Sequence, residues 1–169
     1  MAYLRLVVLS TAPDTRPVLI AYDASAEAQA ALREAVALFG HRPLIVVSVW
    51  EPGLAAMTMA PPPGEVGMGY MPDPTDVAAI DRAQSDHATN AAETGAGVAR
   101  GLGATVEALA VPDSVDVAET VASIAEERDA AAIVVGSRGL GAIKSRVLGS
   151  TSRKLLQHTH RPVLVVRAP

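Results

Sequence analysis

The sequence predicts an α/β protein: a single domain with an open, twisted, five-stranded parallel sheet and helices on both faces. Three observations carry that reading. Short aliphatic runs alternate with stretches of helical periodicity along almost the whole chain, the pattern of a parallel sheet joined by right-handed helical crossovers. The second run, "PLIVVSVW" (43–50), is apolar on both alternating faces, which marks a strand covered on both sides. The 169 residues contain no internal repeat and fit one domain, whose chain buries about 70% of its unfolded surface.

In order, "RPVLIAY" (16–22) is the first strand and ends at Asp23. "SAEAQAALREAVALFG" (25–40) follows as a helix, with Ala28, Ala31, Leu32, Ala35, Val36 and Phe39 on one face. Ser25 suits its N-cap, Glu27 the positive end of its dipole and Gly40 the C′ position. Residues 51–75 hold six of the twelve prolines, four of the five methionines and four glycines. A stretch of that length without periodicity reads as a functional flap or mobile loop. An alanine-rich helix runs from Asp76 to about Arg100, frayed by Gly95 and Gly97, and "ATVEALAV" (104–111) is the third strand. The next helix turns Val117, Val121, Ile124 and Ala125 inward, and "AAAIVVGS" (130–137) is the fourth strand. A last helix through Leu148, Ser152, Leu155 and Leu156 stops at Arg161-Pro162, before the closing strand "PVLVVRA" (162–168). Residues 1–15 read as an N-terminal extension.

Composition narrows function. Aromatics make up 3% of the chain, so aliphatic side chains build the core. A net charge of -4 with scattered basic residues speaks against a nucleic-acid-binding stripe. The modest group Arg138, Lys144, Arg146, Arg153 and Lys154 suits a phosphate-bearing small molecule better. Apolar runs fall well short of the ~18 residues that span a bilayer, so no membrane role is expected. The N-terminus lacks a secretory pattern, which makes cytoplasm the expected location. With no cysteine and no helical pairing of histidines, no thiolate or zinc site is expected.

The chemistry concentrates in "VVGSRGLGAIKSRVLGSTSRKLL" (134–156). Gly136 stands at the carboxyl end of the fourth strand, where ligands of open α/β sheets collect. A glycine there permits a sharp turn with positive φ and close approach of a ligand. Gly139 repeats the provision, and successive amides in such a turn form an anion nest. After nine residues Gly149-Ser150-Thr151 opens a helix, whose free amides and dipole favour phosphate. Two anion-holding elements separated by one excursion suit a chain of phosphates. No nucleophile elbow, Walker lysine or paired-carboxylate motif accompanies them.

With its glycine, two residues, glycine, nine residues, glycine, serine spacing, this segment resembles the ATP-binding members of the universal stress protein family. "VLIAYDAS", "LIVVSVWE", "AAAIVVGSRG" and "RPVLVVRAP" resemble that family's first, second, fourth and closing strands, so the likeness covers residues 16–169. It implies a Rossmann-like, adenine nucleotide alpha hydrolase-like domain that binds ATP with Mg²⁺. Asp23, with Ala21 beside it, would contact the adenosine, and Val49 would line the adenine pocket. Val135, Gly136, Arg138 and Gly139 would flank ribose and phosphates, while Gly149, Ser150 and Thr151 would hold the phosphate tail. The family commonly has glycine after the aspartate; this chain has Ala24, a residue compatible with a helix entry. The resemblance further implies a homodimer paired along the last strand, and regulatory signalling in stress rather than rapid turnover. A slow ATP hydrolase or nucleotidyl-transferring enzyme, and a dimerising module with an empty pocket, are the alternatives.

Overall fold

The computed structural model describes residues 14–53, 73–113, 115–139 and 148–168. Its elements are β1 (Val18–Ala21), α1 (Ala26–Phe39), β2 (Leu44–Trp50), α2 (Pro74–Gly101), β3 (Val106–Pro112), α3 (Val117–Glu127), β4 (Ala132–Gly136), α4 (Ser150–His158) and β5 (Val163–Val166). The five strands are all parallel, in the order β3-β2-β1-β4-β5. The chain therefore winds outward from β1 to β3, returns to the other side of β1, and winds outward again. That reversal opens a crevice at the carboxyl ends of β1 and β4.

Strand alternation sorts the core into two layers. Val18, Ile20, Val46 and Val134 face α1 and α2 and pack with Ala28, Leu32, Ala35 and Ala99. Leu19, Ile45, Val47, Ile133 and Val135 face α3 and α4 and pack with Ala118, Val121, Ala125 and Leu155. Both layers are mainly aliphatic, with Tyr22 and Phe39 joining the first, and their small helix residues let the helices lie close to the sheet. Residues 1–13 and 54–72, which hold most of the N-terminal extension and of the proline- and methionine-rich loop, lie outside the described residues.

Several local expectations change. The α1 cap is as expected: the Ala28 N–H donates to Ser25 Oγ at 3.1 Å. Gly40, however, is the C-cap itself, with φ -62°, one position earlier than the C′ site assigned to it. The second helix begins at Pro74 behind an Asp73 cap, two residues ahead of Asp76. It runs unbroken through Gly95 and Gly97, so it is not frayed there. A Cβ at Gly95 would lie 3.0 Å from the Tyr22 ring and 3.1 Å from Val46 Cγ1. That glycine brings α2 down onto the sheet, which offsets its poor helix propensity. The last helix begins at Ser150 behind Gly149, so Leu148 lies ahead of it; only Ser152 and Leu155 reach the core, and Leu156 is 52% exposed.

Candidate functional site

Where β1 and β4 part, a cavity of about 450 Å³ opens at the carboxyl edge of the sheet. All ten residues singled out from the sequence line it: Ala21, Asp23, Val49, Val135, Gly136, Arg138, Gly139, Gly149, Ser150 and Thr151. They come from the ends of β1, β2 and β4 and the start of α4. Tyr22, Ala28, Val47, Val117, Val121 and Ser152 complete the wall. Val117 and Val121 were visible as the inward stripe of α3. What linear sequence lacked was that α3 starts at the same sheet edge, so that its first turn walls the crevice.

The glycines act differently from the expected sharp turn. Among the described residues only Gly53 and Gly103 are glycines with positive φ, so Gly136, Gly139 and Gly149 do not need a left-handed backbone. Each is instead a place where another part of the site touches main chain. A Cβ on Gly136 would lie 2.8 Å from the Glu27 carbonyl carbon and 3.0 Å from Ala28 N. One on Gly139 would lie 2.7 Å from Asp23 Oδ2, and one on Gly149 3.3 Å from both Arg138 Cα and Ser137 O. The residue that does adopt a left-handed conformation is Ala24, with φ +62°. The expectation that alanine suits this helix entry is therefore overturned: the backbone between Asp23 and Ser25 turns where glycine is favoured.

Main-chain bonds stitch the segments together. Gly149 N–H donates to Ser137 O at 2.8 Å, and Ser137 N–H donates to Val166 O at 2.6 Å. Ser152 Oγ donates to Gly136 O at 2.7 Å. The first turn of α4 is thereby fixed against the end of β4. This helix differs from the other three at its start: Ser25, Asp73 and Asp116 cap α1, α2 and α3 through their side chains. Gly149 offers none, and no acidic residue stands in the first turn of α4. Arg153 N–H makes the first intrahelical bond, to Gly149 O. The amides of Ser150, Thr151 and Ser152 precede it, at the positive end of the dipole and beside the cavity.

The opposite half of the cavity is apolar, built by Ala21, Val47, Val49, Val117, Val121 and Val135. β1 stops at Ala21, whereas β2 continues to Trp50. Tyr22 N–H donates to Val47 O, and Leu44 N–H and Asp113 N–H bond on the β3 side of β2. By strand alternation the N–H and C=O of Val49 point to the β1 side, past the last residue of β1. A polar edge thus borders the apolar half.

Charge is sparse. Asp23 contributes a carboxylate whose Oδ1 accepts from Ser25 N–H at 3.0 Å. Arg138 contributes a guanidinium, and its Nη2 lies 2.8 Å from Glu27 Oε1. Burial, with the negative charge of Asp23 second, pushes the Tyr22 phenol up, so it stays neutral. Between α3 and α4, Lys154 Nζ donates to Asp116 Oδ2 at 2.7 Å. This contact and the amides of Glu119 and Ala118 hold the Asp116 carboxyl below its usual range. Among the described residues no group of three His, Asp or Glu could hold a metal, and no helix is long and apolar enough to cross a membrane.

Residues 111–167, which supply β4, α4 and β5 and the glycine-lined wall, match the model of the universal stress protein family. Over that stretch, about a third of its length, the chain is similar to the universal stress protein family. Over 50 residues it is 44% identical to the universal stress protein YxiE of Bacillus subtilis, an alignment covering 30% of this chain and 34% of that relative. It thus spans about a third of YxiE's length. The fold is that of solved universal stress proteins. UspA of Lactobacillus plantarum is similar with a TM-score of 0.70 at 20% identity, over 90% of this chain and 98% of that one. The Archaeoglobus fulgidus protein in complex with dAMP is similar with a TM-score of 0.57 at 23% identity, over 89% and 96%.

Proposed function

We propose that the cavity binds an adenine nucleotide, ATP accompanied by Mg²⁺, and that the protein is a cytoplasmic regulator in stress whose signal is nucleotide occupancy in a homodimer. The observation that carries this reading is the convergence of a helix start without a side-chain cap and an apolar valine wall on one cavity at the carboxyl edge of the sheet. The dAMP complex of the Archaeoglobus fulgidus relative supports the ligand class.

In this reading each half of the cavity has a task. The valine-lined half takes the base, whose polar edge meets the N–H and C=O of Val49. Asp23, held by Ser25 N–H, accepts from ribose hydroxyls. The phosphates lie on Gly139 and on the amides of Ser150 and Thr151, where fixed dipoles favour anions without reorganising. Asp23 is the only carboxylate among the described lining residues. A magnesium ion there would neutralise phosphate charge and keep mostly water and phosphate oxygens around it. This reading commits Asp23, the one carboxylate among the described lining residues, to the ribose, which favours occupancy over turnover.

The test is mass spectrometry of small molecules released from natively purified protein, followed by equilibrium titration with ATP. An adenine nucleotide in the released fraction, with saturable rebinding, supports the reading. A folded protein that releases none and binds none up to millimolar nucleotide ends it.

A further inference from the structure

We infer that Glu27 sets how many phosphates the site accepts, by holding Arg138 neutralised; this rests on the nucleotide reading above. Arg138 is the one cationic residue among the described residues lining the cavity. Its guanidinium is not offered to the cavity as an unpaired charge, because Glu27 Oε1 stands 2.8 Å from Nη2. The pair is partly withdrawn from water, with side-chain exposures of 28% for Arg138 and 16% for Glu27. Screening is therefore weaker than at the open surface.

Glu27 is also held in place. Its main chain sits against Gly136, where an added Cβ would come within 2.9 Å of Glu27 Cβ. Its main chain and Cβ are anchored in the first turn of α1, independently of the loop that carries Arg138. An incoming polyphosphate thus meets a fixed negative group behind the arginine. Either it draws Arg138 off Glu27 and leaves that carboxylate uncompensated beside a polyanion, or it binds through main-chain amides alone. Both costs grow with phosphate charge, and neither touches a nucleoside. The sequence alone gives Glu27 only a helix-dipole role, since residues 27 and 138 meet through the β1–β4 pairing.

The test titrates adenosine, AMP, ADP and ATP, at fixed salt, into the full chain and into Glu27→Gln and Arg138→Gln. Glu27→Gln keeps an amide oxygen for Arg138 and removes the charge. It is expected to leave adenosine affinity unchanged and to tighten ATP by about tenfold or more, with AMP between. Arg138→Gln, which leaves Glu27 unpaired, is expected to weaken ATP more than AMP. It reads the same graded dependence should Glu27→Gln fail to fold. A uniform change across the four ligands, or none with ATP, overturns the role of Glu27 and leaves nucleotide binding standing. Failure of the unaltered chain to bind any of the four overturns both.

Discussion

At the residue scale, two adjacent positions show how closely the site is drawn. Ala24 occupies a left-handed backbone at φ +62°, a conformation that costs a non-glycine residue roughly 1–2 kcal/mol. Glycine would relieve that cost but return part of it as unfolded-chain entropy. Ala24→Gly should therefore stabilise the protein by about 0.5–1 kcal/mol, read from denaturant unfolding. An unchanged or lower midpoint would mean that Ala24 is not strained. Beside it, a Cβ on Gly139 would meet Asp23 Oδ2 at 2.7 Å, so the Asp23 carboxylate would have to shift to admit one. The glycine spacing pointed in the sequence to the residues that line the cavity, but its physical cause was not legible there. Spacing shows that side chains are missing, not whether ligand, backbone or a carboxylate takes their room. The strain at Ala24 was equally hidden, since alanine is an ordinary residue at helix starts and φ is a property of the folded turn.

At the element scale, α2 and the α3–α4 seam give opposed tests of packing and charge. Gly95 and Gly97 sit two residues apart in α2, yet their surroundings differ. A Cβ at Gly97 meets nothing within 4 Å, whereas one at Gly95 presses on Tyr22 and Val46. Gly97→Ala should stabilise by about 0.5–1 kcal/mol through helix propensity. Gly95→Ala should destabilise by about 1–3 kcal/mol through overpacking. Thermal unfolding of both variants checks the pair, and shifts of the same sign would contradict this packing. At the seam, Asp116 caps α3 and holds Lys154 of α4. Its carboxyl is held below the ordinary value in the fold, chiefly by Lys154. The charged form is thus the stabilising one, and its contribution is full above about pH 4 and lost as pH falls through the folded value. Asp116→Asn keeps a capping oxygen and should cost about 0.5–1 kcal/mol at neutral pH, a small figure because both side chains are partly exposed. The gap from the unaltered chain should close below pH 4 in denaturation series. Strands and helices were legible from periodicity; the Gly95 contact was not, because a glycine in a helix window reads only as poor propensity.

At the scale of the whole molecule, the parallel sheet and its two-sided cover were legible from the alternation of runs, and the structure puts β5 at an edge. The glycine segment at the carboxyl end of β4 then located the crevice. Three-dimensional partners supplied what remained: the α3 wall at Val117 and Val121, and the Glu27–Arg138 pair that joins distant stretches. Edge strand β5 carries the proposed assembly. Pro162 and Val166 accept from the β4 side through their carbonyls, so by alternation the main-chain groups of Val163 and Val165 face outward. Val165→Pro removes one outward donor and leaves the β4–β5 ladder intact. It is expected to convert a dimer to a monomer in sedimentation equilibrium while keeping the circular dichroism of the fold. A unaltered chain that sediments as a monomer at micromolar concentration would remove the dimer from the account.

The central claim is that bare main-chain amides at two separate places hold one anionic ligand. It is tested most directly by titrating ATP and Mg²⁺ into isotopically labelled protein and following amide resonances. The account predicts saturable shifts with a common midpoint at Gly139, Ser150 and Thr151, together with Val49. Saturable binding that leaves the Ser150 and Thr151 amides unmoved would contradict it.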